Sequence, residues 1–182
     1  MAGGRGSNII LVGFMGTGKS SVGRLLAARL RRRYFDTDSW IVRETGMSIP
    51  TLFADFGEQA FRDMETRAAQ EVSGRTGLVV STGGGILGRP RNLELLRASG
   101  VLICLQAGVD TILQRTAPWD SRPLLRDAPN PRATVEQLLA RRAEQYARAD
   151  WAIDTSGLEP ADVVERICEK LPSLLRDAAT PS

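Results

Sequence analysis

With 182 residues, 42% of them hydrophobic and 25% charged, the chain is sized for one compact domain with a substantial core. Its net charge of +3 is too mild for a nucleic-acid surface and better suited to small anionic ligands, and no apolar run reaches membrane-spanning length. The absence of histidine excludes imidazole metal sites and every His-based triad or general base. In chain order, Ile9-Ile10-Leu11-Val12 is an unbroken apolar run, the pattern of a strand buried on both faces. Val22, Leu25, Leu26 and Leu30 recur at helical spacing behind it, and Arg31-Arg32-Arg33 is expected to end that helix, where cations suit the dipole. Tyr34-Phe35 is a second, short strand. A helical pattern runs from about Ile49, with a break expected near Gly57. Leu78-Val79-Val80 forms a third strand, a helix surrounds Leu93–Arg97, and Val101–Leu105 forms a fourth strand. The proline-rich stretch Ala117–Arg132 reads as a long loop of the kind that serves as a lid. Trp151-Ala152-Ile153 is a fifth strand, and a last helix starts near Pro160 and carries Val163, Val164, Ile167 and Leu171. Alternating apolar strands and helices predict an α/β fold with a parallel sheet covered on both faces, whose ligands sit at the carboxyl ends of the strands.

The residues outside this pattern gather behind the first three strands. Gly13-x-x-x-x-Gly18-Lys19-Ser20, between a strand and a helix, is a complete P-loop. Its glycines let backbone N–H groups face phosphate oxygens, Lys19 reaches the terminal phosphates, and Ser20 can ligate magnesium. No Asn-Lys dipeptide of a guanine signature occurs, so ATP is the expected nucleotide. Asp36 and Asp38 flank Thr37 at the end of the second strand; in extended chain, residues two apart share a face, so both carboxylates are expected to address one site. One would serve magnesium through water and the other an acceptor hydroxyl, a carboxylate being the available proton acceptor where histidine is absent. Asp36 is the candidate for the metal, because the third strand ends in Ser81-Thr82 where many P-loop proteins carry an aspartate.

Arg62 and Glu65 stand one helical turn apart, so Glu65 can aim the guanidinium at a carboxylate, although the pair taken alone reads first as a surface ion pair. Gly83-Gly84-Gly85 brings backbone close to a ligand or forms a flexible turn. Arg122, in the proposed lid, can reach a transferring phosphate; Arg115 can stack on adenine; Arg142 precedes Tyr146 by one turn.

Taken together, Gly13–Ser20, Asp36-Thr37-Asp38, Phe61-Arg62-x-x-Glu65, Gly83-Gly84-Gly85, Arg122-Pro123-Leu124 and Arg142-x-x-x-Tyr146 resemble the shikimate kinase family from about Ile9 to Leu171. The resemblance implies a P-loop three-layer sandwich with a five-stranded parallel sheet, an acceptor-binding helical subdomain near Ile41–Ala69 and a lid near Thr116–Arg132. It implies ATP-dependent phosphorylation of the 3-hydroxyl of shikimate. By position, Gly16, Thr17, Gly18, Lys19, Ser20 and Ser21 would surround the ATP phosphates. Arg115 and the loop Thr155–Pro160 would border adenine. Asp38 would hold the acceptor hydroxyl, Arg62 and Arg142 the carboxylate, and Gly84 and Gly85 the ring hydroxyls. Lys19 and Arg122 would stabilise the moving phosphoryl group, with magnesium on Ser20 and, through water, on Asp36. Spacing to Tyr146 selects Arg142 over the adjacent Arg141. Two other classes stay open at this point: a gluconate or nucleoside-monophosphate kinase of the same fold, and a binding protein of this family that has lost catalysis. Cys104 and Cys168, in apolar segments without metal-like spacing, are expected to be reduced core residues of a cytoplasmic monomer. "MAGGRGSN" lacks the apolar centre of a signal peptide.

Overall fold

The structure, a computed structural model, describes residues 7–117, Leu125 and 128–179. Five parallel strands lie in the order β2-β3-β1-β4-β5. They are β1 (Asn8–Gly13), β2 (Arg33–Asp36), β3 (Leu78–Ser81), β4 (Gly100–Gln106) and β5 (Trp151–Asp154). β1 is central, with Ile9 level with Val79 on one side and Val101 on the other. Successive residues of a strand face opposite sides, and the core divides accordingly. Ile10, Val12, Val80, Leu102 and Cys104 belong to one apolar cluster; Ile9, Leu11, Val79, Val101, Ile103 and Leu105 belong to the other. Each such fully buried aliphatic side chain contributes about 1.5–3 kcal/mol, and burial on both faces is why these strands read as unbroken apolar runs.

The second cluster is closed by α1 (Lys19–Leu30) and α7 (Pro160–Ala179). The first is closed by α2 (Thr37–Thr45), α3 (Ile49–Ser73), α4 (Pro90–Ser99), α5 (Val109–Thr116) and α6 (Pro131–Tyr146), with a 3-10 turn at Ile86–Gly88. Local chemistry sets these boundaries. Asp36 caps α2 by accepting the Ser39 N–H, Ser48 caps α3 through Thr51, Asn130 caps α6 through Ala133, and prolines sit in the first turns of α3, α4 and α6. The expected break in α3 is present: Gly57 adopts φ 80°, ψ 174°, a conformation essentially reserved to glycine.

Three sequence expectations need correction. The arginine triplet does not end α1 as a block: Arg31 is the left-handed cap beyond Leu30, and Arg33 already opens β2. Cys168 is only partly buried, whereas Cys104 is fully buried; both are free thiols. Asp36 and Asp38 do not share a face of extended chain, because the helix starts at Thr37 and places Asp38 in its first turn.

Candidate active site

β1 feeds directly into the glycine loop at the centre of the sheet, with β3 on one side and β4 on the other. This is the point where α/β sheets open a crevice. Gly16 and Gly18 take positive φ (76° and 93°), which turns the chain tightly into α1. The Thr17 hydroxyl donates to the Phe14 carbonyl at 2.8 Å, and Thr155 Oγ1 donates to the Thr17 carbonyl at 3.1 Å, fixing the loop from inside and from β5's far end. Lys19 opens α1 with 8% exposure, and its Nζ donates to the Phe14 carbonyl at 2.6 Å. The ammonium is thus held at the helix N-terminus, where unsatisfied N–H groups favour an anion.

A cleft of about 450 Å³ extends from this loop, lined by Gly16, Thr17, Gly18, Lys19, Ser20 and Ser21 and, at its far end, by Arg115 and Leu158–Pro160. Arg115 lies pinned along that edge. Its Nη1 donates to Thr155 Oγ1 (3.0 Å) and its Nη2 to the carbonyls of Thr155 (2.8 Å) and Leu158 (3.3 Å). A guanidinium anchored at its rim presents its flat face, the surface on which an aromatic base stacks.

Next to the loop, Ser20 Oγ approaches Asp36 Oδ2 at 3.4 Å and Ser81 Oγ at 3.5 Å. Asp36 also receives the Tyr34 hydroxyl at 3.0 Å on Oδ2 and the Ser39 N–H at 2.9 Å on Oδ1. Burial, and then the Asp36 charge, push the Tyr34 phenol above its ordinary range, so it stays a donor. Among the described residues no cluster of three or more acidic, Cys or His side chains could hold a metal alone. A hydroxyl and a carboxylate beside a phosphate loop do fit magnesium, which takes hard oxygen ligands and completes its shell from phosphates and water.

On the other side of the cleft the triple glycine forms a floor against which charged side chains press directly. A Cβ at Gly83 would stand 2.6 Å from Asp38 Oδ1 and 3.2 Å from Glu65 Oε1. One at Gly84 would stand 3.2 Å from Arg142 Nη1, and one at Gly85 2.5 Å from Arg62 Nη1. Asp38, Arg62 and Arg142 therefore converge from α2, α3 and α6 on three consecutive residues. The Thr37 hydroxyl accepts the Gly83 N–H at 2.9 Å, joining the start of α2 to this floor. Arg142 Nη1 (3.1 Å) and the Tyr146 hydroxyl (2.7 Å) share the Gly84 carbonyl, and the Arg142 guanidinium also lies over the Phe14 ring, 5.4 Å from its centroid. Arg141 is exposed.

The Arg62–Glu65 pair is no surface bridge: Glu65 is 1% exposed and accepts from Arg62 Nη1 at 2.7 Å, while Glu58 takes Nη2 at 2.9 Å. Burial pushes the Glu65 carboxyl above its ordinary 4.5; Arg62 opposes the rise and the Asp38 charge adds to it. Between pH 4.5 and its raised native value, Glu65 consequently keeps a proton that the unfolded chain has released. This contribution to stability is complete below pH 4.5 and is lost as pH rises through the native value. Glu65→Gln removes it, so in thermal melts at stepped pH the variant's Tm is expected to gain on the wild type as pH climbs from 4.5. An offset constant with pH would mean that the carboxyl ionises at its ordinary value.

Arg122, with most of the proposed lid, lies outside the described residues. Of that segment, Leu125 is seen buried in the core. Sequence reasoning gave no role to Tyr34, Thr37 or Phe14 and left Tyr146 as a spacing mark. The last alone had a signal, one helical turn after Arg142; the others are partners made by the fold.

A profile of the family described as shikimate kinase matches residues 15–172 of this chain. A shikimate kinase of Geobacter metallireducens is 48% identical over 160 residues, 88% of this chain and 89% of that one. One of Geobacter sulfurreducens is 46% identical over 162 residues, 89% of each. Among solved structures, the shikimate kinase from Acinetobacter baumannii in complex with shikimate superposes with a TM-score of 0.88 at 39% identity, covering 92% of this chain and 93% of that one.

Proposed function

The chain belongs to the shikimate kinase family and phosphorylates shikimate at the expense of ATP, a step in the supply of aromatic amino-acid precursors, and we propose that its cleft divides that work as follows. ATP lies along the glycine loop with adenine against Arg115 and its phosphates over Gly16–Ser21. Shikimate lies on the Gly83–Gly85 floor. Arg62, aimed by Glu65, and Arg142 bind its carboxylate with paired charge-assisted hydrogen bonds. Backbone groups of Gly84 and Gly85 meet its ring hydroxyls, and Asp38 takes the proton of the 3-hydroxyl or holds that hydroxyl in line. Lys19 neutralises the phosphoryl group as it moves to form shikimate 3-phosphate, joined by Arg122. Such a transfer needs positioning and charge neutralisation more than covalent help. Ser20 and Asp36 would hold the nucleotide's magnesium, Asp36 through water, and the ion would supply charge neutralisation at the phosphates.

The single observation that carries this division is the convergence of one aspartate and two arginines on three successive glycines beside a complete P-loop, since an acid bearing hydroxyls needs both kinds of partner. We read 41–69 as the acceptor-binding part and 116–132 as the lid of one kinase domain. The protein acts as a cytoplasmic monomer on two small-molecule substrates, with neither nucleic acid nor membrane as partner. No helix of the described residues is long and apolar enough to cross a membrane.

The deciding assay follows ADP release from ATP and magnesium with shikimate, gluconate or AMP as acceptor. Stimulation is expected from shikimate alone. Stimulation by gluconate or AMP instead would move the acceptor assignment. Binding of ATP without release of ADP under any acceptor would point to a family member without catalysis.

A further inference from the structure

We propose that Tyr34 is a positioning residue for the Asp36 carboxylate and thereby sets how tightly the nucleotide's divalent cation is held; this rests on the reading of Ser20 and Asp36 as the protein's groups for that cation. Tyr34 stands in the middle of β2, two residues before Asp36, and its ring runs beneath α1. The helix makes room for it: a Cβ at Gly23 would come within 2.8 Å of Tyr34 Cε2, and Arg24, the next residue, lays its guanidinium over the ring at 5.6 Å from the centroid. Glycine is a poor choice for a helix interior, and here it opens the path by which a phenol reaches a carboxylate.

The hydrogen bonds on Asp36 differ in kind. Oδ1 is held by the Ser39 N–H at 2.9 Å and Oδ2 by the Tyr34 hydroxyl at 3.0 Å. These two donors belong to separate elements, α2 and β2, so the carboxylate plane cannot turn without losing one of them. The third contact, from Ser20 to Oδ2, is 3.4 Å long, at the weak end of hydrogen bonding. It is the contact that would yield to a cation served by Ser20 and Asp36, while the Ser39 and Tyr34 donors keep the carboxylate's orientation. Hydrogen-bond partners of a metal's direct ligands are typically worth about 10- to 100-fold in metal affinity; with Asp36 serving the cation through water, Tyr34 stands one step further out and is expected at the low end of that range.

Tyr34→Phe keeps the ring beneath α1 and removes only the hydroxyl. Binding of Mn2+ in the presence of ADP, followed by electron paramagnetic resonance, is expected to weaken about tenfold. The magnesium concentration for half-maximal turnover should rise in step, while the KM for shikimate stays put and the Tm without nucleotide drops by only a few degrees for the lost hydrogen bond. Gly23→Ala, which crowds the ring from the helix side, should move the cation affinity in the same direction. Asp36→Asn is measured alongside. Weakened Mn2+ binding in Asp36→Asn with wild-type binding in Tyr34→Phe would overturn the proposal and reduce Tyr34 to a packing residue. Wild-type binding in Asp36→Asn itself would overturn the assignment of Asp36 to the cation, and this proposal with it.

Discussion

Asp38→Asn is expected to lower kcat by about 100- to 10,000-fold, the range over which a positioned general base contributes, and to leave ATP binding nearly unchanged. The side chain stands in the first turn of α2 with Oδ1 against Gly83, in the part of the cleft proposed for the acceptor. The chain has no histidine to substitute for it. Glu65, the other buried carboxyl at the floor, is engaged by Arg62. Asparagine keeps the shape and the ability to accept a hydrogen bond, but it neither carries charge nor takes a proton. Steady-state kinetics beside ATP-induced thermal stabilisation separates the two effects. An equal loss of ATP stabilisation would place Asp38 among the nucleotide-binding residues instead.

Lys19→Met should cost about 1,000-fold in kcat, or about 4 kcal/mol of transition-state stabilisation. Lys19 Nζ is held on the Phe14 carbonyl and its stem is buried at the first turn of α1, so the ammonium is fixed at the mouth of the P-loop. Methionine fills the same stem volume, which keeps the loop packed. Turnover should collapse while the shikimate-induced thermal shift remains. A fall below tenfold would mean that other cations, Arg122 first among them, carry the charge of the moving phosphoryl group.

The framework was legible because its physics is local or nearly so. Strands covered on both faces have to be apolar throughout, as Ile9–Val12 and Val101–Leu105 are. The break at Gly57 and the start of the last helix at Pro160 follow from what glycine and proline allow. The P-loop was legible for the same reason. Less visible was how distant residues meet. The Gly83 N–H finds Thr37 across 46 positions, and Tyr146 finds the Gly84 carbonyl across 62. No periodicity encodes such pairings. Asp36 and Asp38 do line one cleft, but not by the period-two argument: the capping bond from Ser39 to Asp36 starts a helix one residue after the strand ends. Burial also reversed what the pair alone suggested, turning Arg62–Glu65 from a surface ion pair into a buried, oriented one.

Four of the glycines form two pairs according to what their missing side chains would strike. At Gly13 and Gly100 the obstacle is backbone, the carbonyls of Leu105 and Asn8 in adjoining strands, which cannot move without parting the sheet. At Gly84 and Gly85 it is the tip of an arginine, which can swing aside. A saturation mutagenesis library scored separately for cellular abundance and for growth that depends on turnover would tell these apart. Substitutions at the first pair would deplete protein. Those at the second would leave a well-populated but silent enzyme, so that a scan for abundance alone would pass over the floor proposed for the acceptor.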